Sequence, residues 1–571
     1  MKKTSGLVFW ALRESLRKGY GTSHFLHDLK SGLIVGLVAI PLGMALSVAI
    51  NLPPQHGLYT CIIGGIICAL LGGSKFQVTG PTAAFVVILV PIVQRFGIEG
   101  LFLAGFLSGF LLILFSIFRL GKVIEFLPHP VVTGFTAGIA VVIFTLQIKD
   151  FMGLPIPSMP HYYWERVIRL AEYSPLLNVA EFLVGFFTLV VIFLCNRYLK
   201  KTPGPIIGLT LATLLVEGLK WWNPNLQVAT IANRFSTQVG DTLIAGIPSG
   251  PPLLRLDWLF PGGQFVSMDL ITHIFPAALT IALLGAIESL LSAVVADGMT
   301  RTRHEPNAEL LAQGIGNMLC PFAGGIPATG AIARTATNIR FGAKSPLSTV
   351  VHGLFILLAM LYMAPFISLV PMASLAALLM IVAYNMSEIK HVKSILQLGS
   401  ADDKLVFLCC FLLTIFIDMT AGVLTGFGLA TLLFMKRMVS LTSGGIALEK
   451  GGKRSYPTLP PRYQIYHVSG PMFFGAAHKA MSSLGQVSKD LEVLILDLTD
   501  VAMLDITGLT ALRSGVLQLS EHGIQITIVV SSHELERHVK RFLHLTAASN
   551  ITVSMGPISQ ILKREAVSIP I

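Results

Sequence analysis

The sequence predicts an all-α polytopic membrane domain of about fourteen spans, followed by a small α/β domain at the C-terminus. Three observations lead there. Of 571 residues, 53% are hydrophobic and only 12% charged, whereas soluble domains are about a quarter charged. Apolar runs near spanning length recur as far as residue 436, separated by short basic clusters. After residue 437 the pattern changes to short strand-like and helix-like segments in alternation.

A soluble chain with a mean hydropathy of +0.73 would need one oversized core, and single cores stop growing near about 250–300 residues. A bilayer removes that limit. The 53 glycines fit the same reading, because small residues let membrane helices approach closely. The formal charge of +11 does not point to nucleic acid. The basic residues form no single patch and sit between apolar runs, which marks loop topology. Cys61, Cys68, Cys195, Cys320, Cys409 and Cys410 lie in or beside apolar segments. They show no metal spacing and no disulfide pattern, so they read as small packing residues. No cofactor is implied. The N-terminal stretch is interrupted by Arg13 and Glu14 and does not read as a cleaved signal peptide.

A spanning helix needs about 20 apolar residues. The candidates cover 32–50, 57–72, 81–95, 100–118, 127–147, 180–197 and 205–219 in a first half. A second half covers 270–296, 308–323, 330–340, 346–363, 365–384, 404–418 and 419–435. The third and tenth are too short to span alone. An even count puts both termini on one side. With the N-terminus inside, the inner loops hold Lys75, Arg119, Lys122, Arg197, Lys200, Lys201, Arg301, Arg303, Arg340, Lys344, Lys390, Lys393, Lys436 and Arg437. The outer loops hold Lys149, Arg166, Arg169, Lys220, Arg234 and Arg255, spread over two long connections. This bias predicts cytoplasmic termini. The resulting domains are an N-terminal segment 1–30, a membrane domain 31–436, a Gly/Ser/Pro-rich linker 437–461 and an α/β domain 462–571.

Two interrupted segments occupy corresponding places in the two halves. One is Val78-Thr79-Gly80-Pro81-Thr82-Ala83, the other Gly325-Ile326-Pro327-Ala328-Thr329-Gly330-Ala331-Ile332-Ala333-Arg334. Irregular backbone at membrane depth is tolerated only where protein or a cavity satisfies its polar groups. Short, Gly/Pro-interrupted segments in matching positions point to a transporter site, whose helix N-termini favour an anion. Two kinked but ordinary helices are the plainer alternative. Glu288 and Arg334 are charges at membrane depth, which are usually functional or paired. Glu288 is a candidate coupling site and Arg334 a source of positive potential; the plainer reading is a structural Glu288–Arg334 ion pair tying two helices together, and the two are not exclusive. Asp418 falls in a short outer turn. In the first span, Pro41, Gly43 and Ala45 either line a cavity or serve helix packing.

These residues resemble the sulfate permease (SulP) family of anion transporters. The resemblance covers IPLGMAL (40–46), PPQHGLYT (53–60), GPTAAFVVI (80–88), GAIESLLSAVVADGM (285–299) and GAIARTATNIRFGAKSPLS (330–348). The tail resembles a STAS domain, with DLTDVAMLDITGL (497–509) at its centre. The resemblance implies two inverted seven-helix repeats, with spans one to four and eight to eleven as a core and the others as a gate. It carries substrate binding onto Leu42, Leu46, Thr82, Ala83, Ala333 and Arg334, and coupling onto Glu288. It also implies a homodimer in a bacterial inner membrane. Within the family, FVVILVPIVQRFG, LLGAIESLLSAVVADGMT and AYNMSE look most like carriers of four-carbon dicarboxylates such as succinate, fumarate or aspartate, coupled to protons. Sodium-coupled bicarbonate and proton-coupled sulfate transport share most of these motifs. In related STAS domains the loop at Asp505-Ile506-Thr507-Gly508 carries a phosphorylated serine. Thr507 matches it by position and Ile506 departs from it, so Thr507 is either a regulatory site or, like Asp505, part of a helix cap. An anion channel of the same fold is the alternative to a carrier. An enzyme is not expected, since the spans hold no paired catalytic carboxylates, metal spacing or nucleophile motif.

Overall fold

The computed structural model describes residues 8–124, 128–160, 162–198, 203–239, 242–260, 266–446, 462–473, 475–481, 484, 491–543 and 550–556. The chain divides into two compact units, Met1–Phe427 and Gly428–Ile571.

In the first unit, α1 (Trp10–Arg17) precedes α2 (Thr22–Ala49), α3 (Gln55–Leu71), β1 (Thr79–Gly80), α4 (Ala83–Ile117), α5 (Gly121–Ile124) and α6 (His129–Phe151). Then come α7 (Tyr163–Tyr173), α8 (Val179–Tyr198), α9 (Gly204–Trp222), α10 (Ile231–Arg234) and a hairpin of β2 (Ser236–Val239) and β3 (Thr242–Ala245). The second half runs α11 (Met268–Thr300), α12 (Pro306–Leu319), β4 (Thr329–Gly330), α13 (Ile332–Arg340) and α14 (Leu347–Ile367). It ends with α15 (Met372–Met386), α16 (Ile389–Leu398), α17 (Ala401–Phe416) and α18 (Met419–Leu441), the last crossing the unit boundary.

Each candidate span finds a helix. Among the described residues, eight helices are long and apolar enough to cross a membrane by themselves. The others are short, and α4 is two helices in one. At Gly97 the backbone turns to φ 70°, a left-handed conformation that only glycine adopts readily. A side chain there would meet nothing within 4 Å, so the φ angle, not space, is what calls for glycine. The break divides α4 into the short third span and the full fourth span read from the sequence.

The helices form two bundles. In one, α4 packs on α11 and α12, and α14 packs on α2 and α3. In the other, α6 packs on α15 and α17, and α8 on α9 and α15. This is the expected core and gate. Within the core, α2 and α3 cross at Gly43 and Gly57. A Cβ on Gly57 would strike the Gly43 carbonyl, so the small residues of the first span do serve packing.

The second unit is a five-stranded sheet in the order β5–β6–β7–β8–β9. Its strands are β5 (Ser443–Ile446), β6 (Tyr463–Ser469), β7 (Val493–Asp500), β8 (Gln525–Val530) and β9 (Ile551–Met555). Helices α19 (Ala476–Met481), α20 (Ile506–Ser520) and α21 (His533–Leu543) intervene. β5 runs antiparallel to β6; the other pairings are parallel. β7 is buried from Val493 to Leu498, as a central strand covered on both faces must be. Leu494, Leu496 and Leu498 of β7 and Ile526 and Ile528 of β8 share one core with Leu512 and Val516 of α20.

Two boundaries differ from the sequence reading. The segment 1–30 contains α1 and the start of α2. The expected linker begins inside α18 and supplies β5, leaving only 447–461, which lie outside the described residues. Ser443-Gly444-Gly445-Ile446 has no period-two pattern to reveal a strand; its backbone pairing with β6 makes it one. Lys200 and Lys201 also lie outside the described residues.

Candidate anion site between the half-helices

The two Gly/Pro breaks meet. β1 and β4 pair antiparallel, Thr79 opposite Gly330 and Gly80 opposite Thr329. The Ala331 N–H donates to the Val78 carbonyl at 2.9 Å. Each break thereby satisfies backbone groups of the other, as irregular backbone inside a membrane domain requires. The Thr-Gly pair occurs in both, so the register is symmetric about the crossing.

From this crossing start α4 and α13. Their N-cap residues, Thr82 and Ala331, make no side-chain bond to the first turn. Alanine cannot. Threonine normally would, but the Thr82 hydroxyl donates instead to Glu288 Oε2 at 2.9 Å. The first-turn N–H groups, where the helix dipole places roughly half a positive charge, are therefore left without a side-chain cap.

A cavity of about 260 Å³ opens here. Leu42 and Leu46 of α2 line it, with Thr82 and Ala83 from the first half-helix. Glu288 of α11 and Ala333 with Arg334 of α13 complete the wall. The seven residues to which the resemblance assigned substrate binding or coupling thus face one space. The sequence reading missed the opposite wall: Val132, Phe135 and Thr136 of α6, and Val382, Asn385 and Met386 of α15. These are uncharged residues on unbroken helices, so no local pattern marks them.

Arg334 is 2% exposed. Its Nη2 donates to the Pro81 carbonyl at 2.7 Å and its Nη1 to Cys61 Sγ at 3.4 Å. Its Nε is buried without a partner. The guanidinium lies against Gly80, where a Cβ would strike Nη1. The ion-pair alternative is corrected here: no salt bridge joins Arg334 to Glu288. Arg334 ties its own half-helix to the carbonyl that precedes the other, and Glu288 is held by Thr82 alone. Cys61, read as a packing residue, also touches the guanidinium. Asp418 is exposed and accepts the Ala421 N–H at 2.8 Å, opening α18.

In the second unit, Asp505 is the N-cap of α20, its Oδ1 accepting the Gly508 N–H at 2.7 Å. Thr507, one of the two cap candidates, does not cap. It is exposed in the first turn. Asp505→Ala is therefore expected to cost the isolated domain about 1 kcal/mol, and Thr507→Ala a few tenths at most. Urea unfolding of the two variants checks this; equal losses would refute the assignment of the cap.

Comparison with known proteins agrees with this architecture. The model of the sulfate permease family matches residues 25–410, and that of the STAS domain matches residues 457–551. A putative sulfate transporter of Bacillus subtilis, YvdB, is 41% identical over 534 residues, covering 93% of this chain and 95% of its own. The bicarbonate transporter BicA of Picosynechococcus is 27% identical, covering 90% of each chain. The solved structure of SLC26A9 superposes with a TM-score of 0.83 at 18% identity, over 99% of this chain and 94% of that one. The transmembrane domain of a cyanobacterial BicA gives 0.60 at 25% identity, over 71% of this chain and 98% of that one. The expected likeness to dicarboxylate carriers finds no support among these relatives; YvdB is described as a putative sulfate transporter and BicA as a bicarbonate transporter.

Proposed function

The chain belongs to the sulfate permease family of anion transporters, and from that premise we propose that it is a secondary carrier of a small inorganic oxyanion, sulfate or bicarbonate. The anion sits between the first turns of α4 and α13. Arg334 adds positive potential, Leu42, Leu46, Ala83 and Ala333 shape the contact, and Glu288 receives the coupling ion. The observation that carries this reading is the turning of the Thr82 hydroxyl to Glu288, which leaves α4 uncapped and, with Ala331 unable to cap α13, sets two uncapped helix N-termini beside a buried arginine on one cavity. Helix N-termini attract anions through free N–H groups and the dipole. The names of the relatives favour sulfate or bicarbonate over a four-carbon dicarboxylate.

Purified protein in liposomes, offered labelled sulfate, bicarbonate and succinate under proton and sodium gradients in turn, tests this. Uphill accumulation of sulfate or bicarbonate under one of the gradients is expected. Preferred succinate uptake would reverse the choice of substrate. Flux that only follows the anion's own gradient would make the protein a channel. The same reading puts the chain in the bacterial inner membrane with both termini in the cytoplasm. Single cysteines at positions 2 and 560, both outside the described residues, should then resist impermeant reagents in intact cells.

A further inference from the structure

Beyond Asn307 in its first turn, the helix α12 buries Glu309, Gln313 and Asn317, exposed by 1%, 0% and 0%. Their spacing of four places them in one stripe along one face of the helix. At one end of the stripe, Glu309 Oε2 accepts the N–H groups of Gly73 and Ser74, each at 3.0 Å. Its Oε1 accepts from Gln77 Nε2 at 2.8 Å. These residues lead into β1. At the other end, Asn317 Oδ1 accepts the Ala328 N–H at 2.7 Å, and Asn317 Nδ2 donates back to the Ala328 carbonyl at 3.0 Å. Gln313 Nε2 donates to the same carbonyl at 2.5 Å. Ala328 leads into β4. One helix face therefore holds both lead-ins.

The stripe also reaches the helix of Glu288. Gln77 Nε2 donates to Ser289 Oγ at 2.6 Å, and Ser289 Oγ lies 3.5 Å from Gln313 Oε1. The Gln77 side chain passes under the second break, where a Cβ on Gly330 would strike its amide. A purely packing helix would fill these positions with apolar residues, since every buried polar group must find a partner. Here each finds it on irregular backbone or on a side chain beside the coupling site.

We propose that Glu309, Gln313 and Asn317 are positioning residues for the anion. The stripe fixes the separation and direction of the two half-helix N-termini, and through them affinity and the choice between anions. The proposal rests on the binding site put forward above. Glutamate is required at 309 because a carboxylate offers two acceptor oxygens to three donors, while an amide offers one. Glu309→Gln turns an NH₂ group either on Gln77 or on the Gly73 and Ser74 N–H groups, and a buried donor facing a donor loses its bond outright.

Initial uptake rates of labelled sulfate and bicarbonate in liposomes give KM and Vmax for each anion. Glu309→Gln should raise KM by about tenfold and change the sulfate-to-bicarbonate ratio of Vmax/KM. Vmax per folded transporter should stay near that of the unmodified protein. Ser289→Ala, a smaller change, should shift KM and the ratio in the same direction by a lesser amount, and it decides the matter alone if Glu309→Gln does not fold. A fall in Vmax with KM and ratio unchanged in both variants would reduce the stripe to scaffold and overturn the proposal. Arg334→Ala, measured in parallel, separates the two levels. If it raises KM while the stripe variants do not, only this inference fails; if it too leaves KM unchanged, the binding site fails with it.

Discussion

Replacing Arg334 with alanine is expected to raise KM for the transported anion by roughly 10- to 150-fold, the equivalent of the about 1.5–3 kcal/mol that a hydrogen bond to a charged group contributes. Two effects act together. The variant removes a full positive charge from the wall of a cavity whose other lining charges, Glu288 and Glu388, are acidic residues. It also removes the donor that holds the Pro81 carbonyl at 2.7 Å, so the start of α4 loses its tie to α13. Arg334→Lys separates these effects. Lysine keeps the charge, but its point-like ammonium does not reproduce the planar fork that reaches both Pro81 and Cys61. If the field dominates, the lysine variant should lie closer to the unmodified protein than to the alanine variant. If the tie dominates, both variants should be equally impaired. Gly80→Ala adds an independent check, since its Cβ would displace the guanidinium without changing any charge. Alanine at 334 with KM within twofold of the unmodified protein would remove Arg334 from the site.

What the sequence revealed and what it hid follow from which interactions leave a mark on residue type. Long apolar runs are obligatory for helices in hydrocarbon, so the spans were legible. So were the two half-helices, because Gly80-Pro81 and Gly325 to Gly330 mark backbone that cannot be regular helix. The pairing of β1 with β4 was hidden. It is made by main-chain groups of two residues each, too short for any periodicity. The partner of Arg334 was hidden for a related reason. A buried arginine suggests a carboxylate, and Glu288 was the nearest choice by type, yet the guanidinium donates to a carbonyl and a thiol, neither of which announces itself as a partner. The wall formed by α6 and α15 left no trace because Phe135 and Val382 look like any residue of a membrane helix. The stripe on α12 is different. Three polar residues at spacing four in Glu309-Leu310-Leu311-Ala312-Gln313-Gly314-Ile315-Gly316-Asn317 are an open signal that intramembrane polar groups have work to do, and it lay in plain view in the sequence.

Glu288→Gln is expected to abolish uphill accumulation while leaving anion exchange across the membrane largely intact. Glu288 is 9% exposed, lines the cavity, and accepts one hydrogen bond, from Thr82 at 2.9 Å. No salt bridge neutralises it. A carboxylate beside a bound oxyanion is repelled by it, and at low dielectric that repulsion amounts to several kcal/mol. On the function proposed above, the anion binds well only when Glu288 is protonated or accompanied by a cation, and that condition would tie anion movement to an ion gradient. Glutamine retains a carbonyl oxygen able to accept from Thr82, so the half-helix should keep its place, while the negative charge is permanently absent. The anion should then bind without a companion ion. In liposomes the accumulation ratio under an imposed gradient should fall to about 1, the value for an uncoupled carrier, and counterflow exchange of preloaded labelled anion should continue. Glu288→Asp keeps the charge and should retain coupling, at a lower rate because the shorter side chain no longer reaches Thr82. The coupling ion can be read from the same preparation. If a proton is the companion, the KM of the unmodified protein should rise with pH in the absence of sodium, and the glutamine variant should show no such rise. If sodium is, KM should fall with sodium concentration at fixed pH, and glutamine should abolish that fall. Normal gradient-driven accumulation by Glu288→Gln would place the coupling site elsewhere.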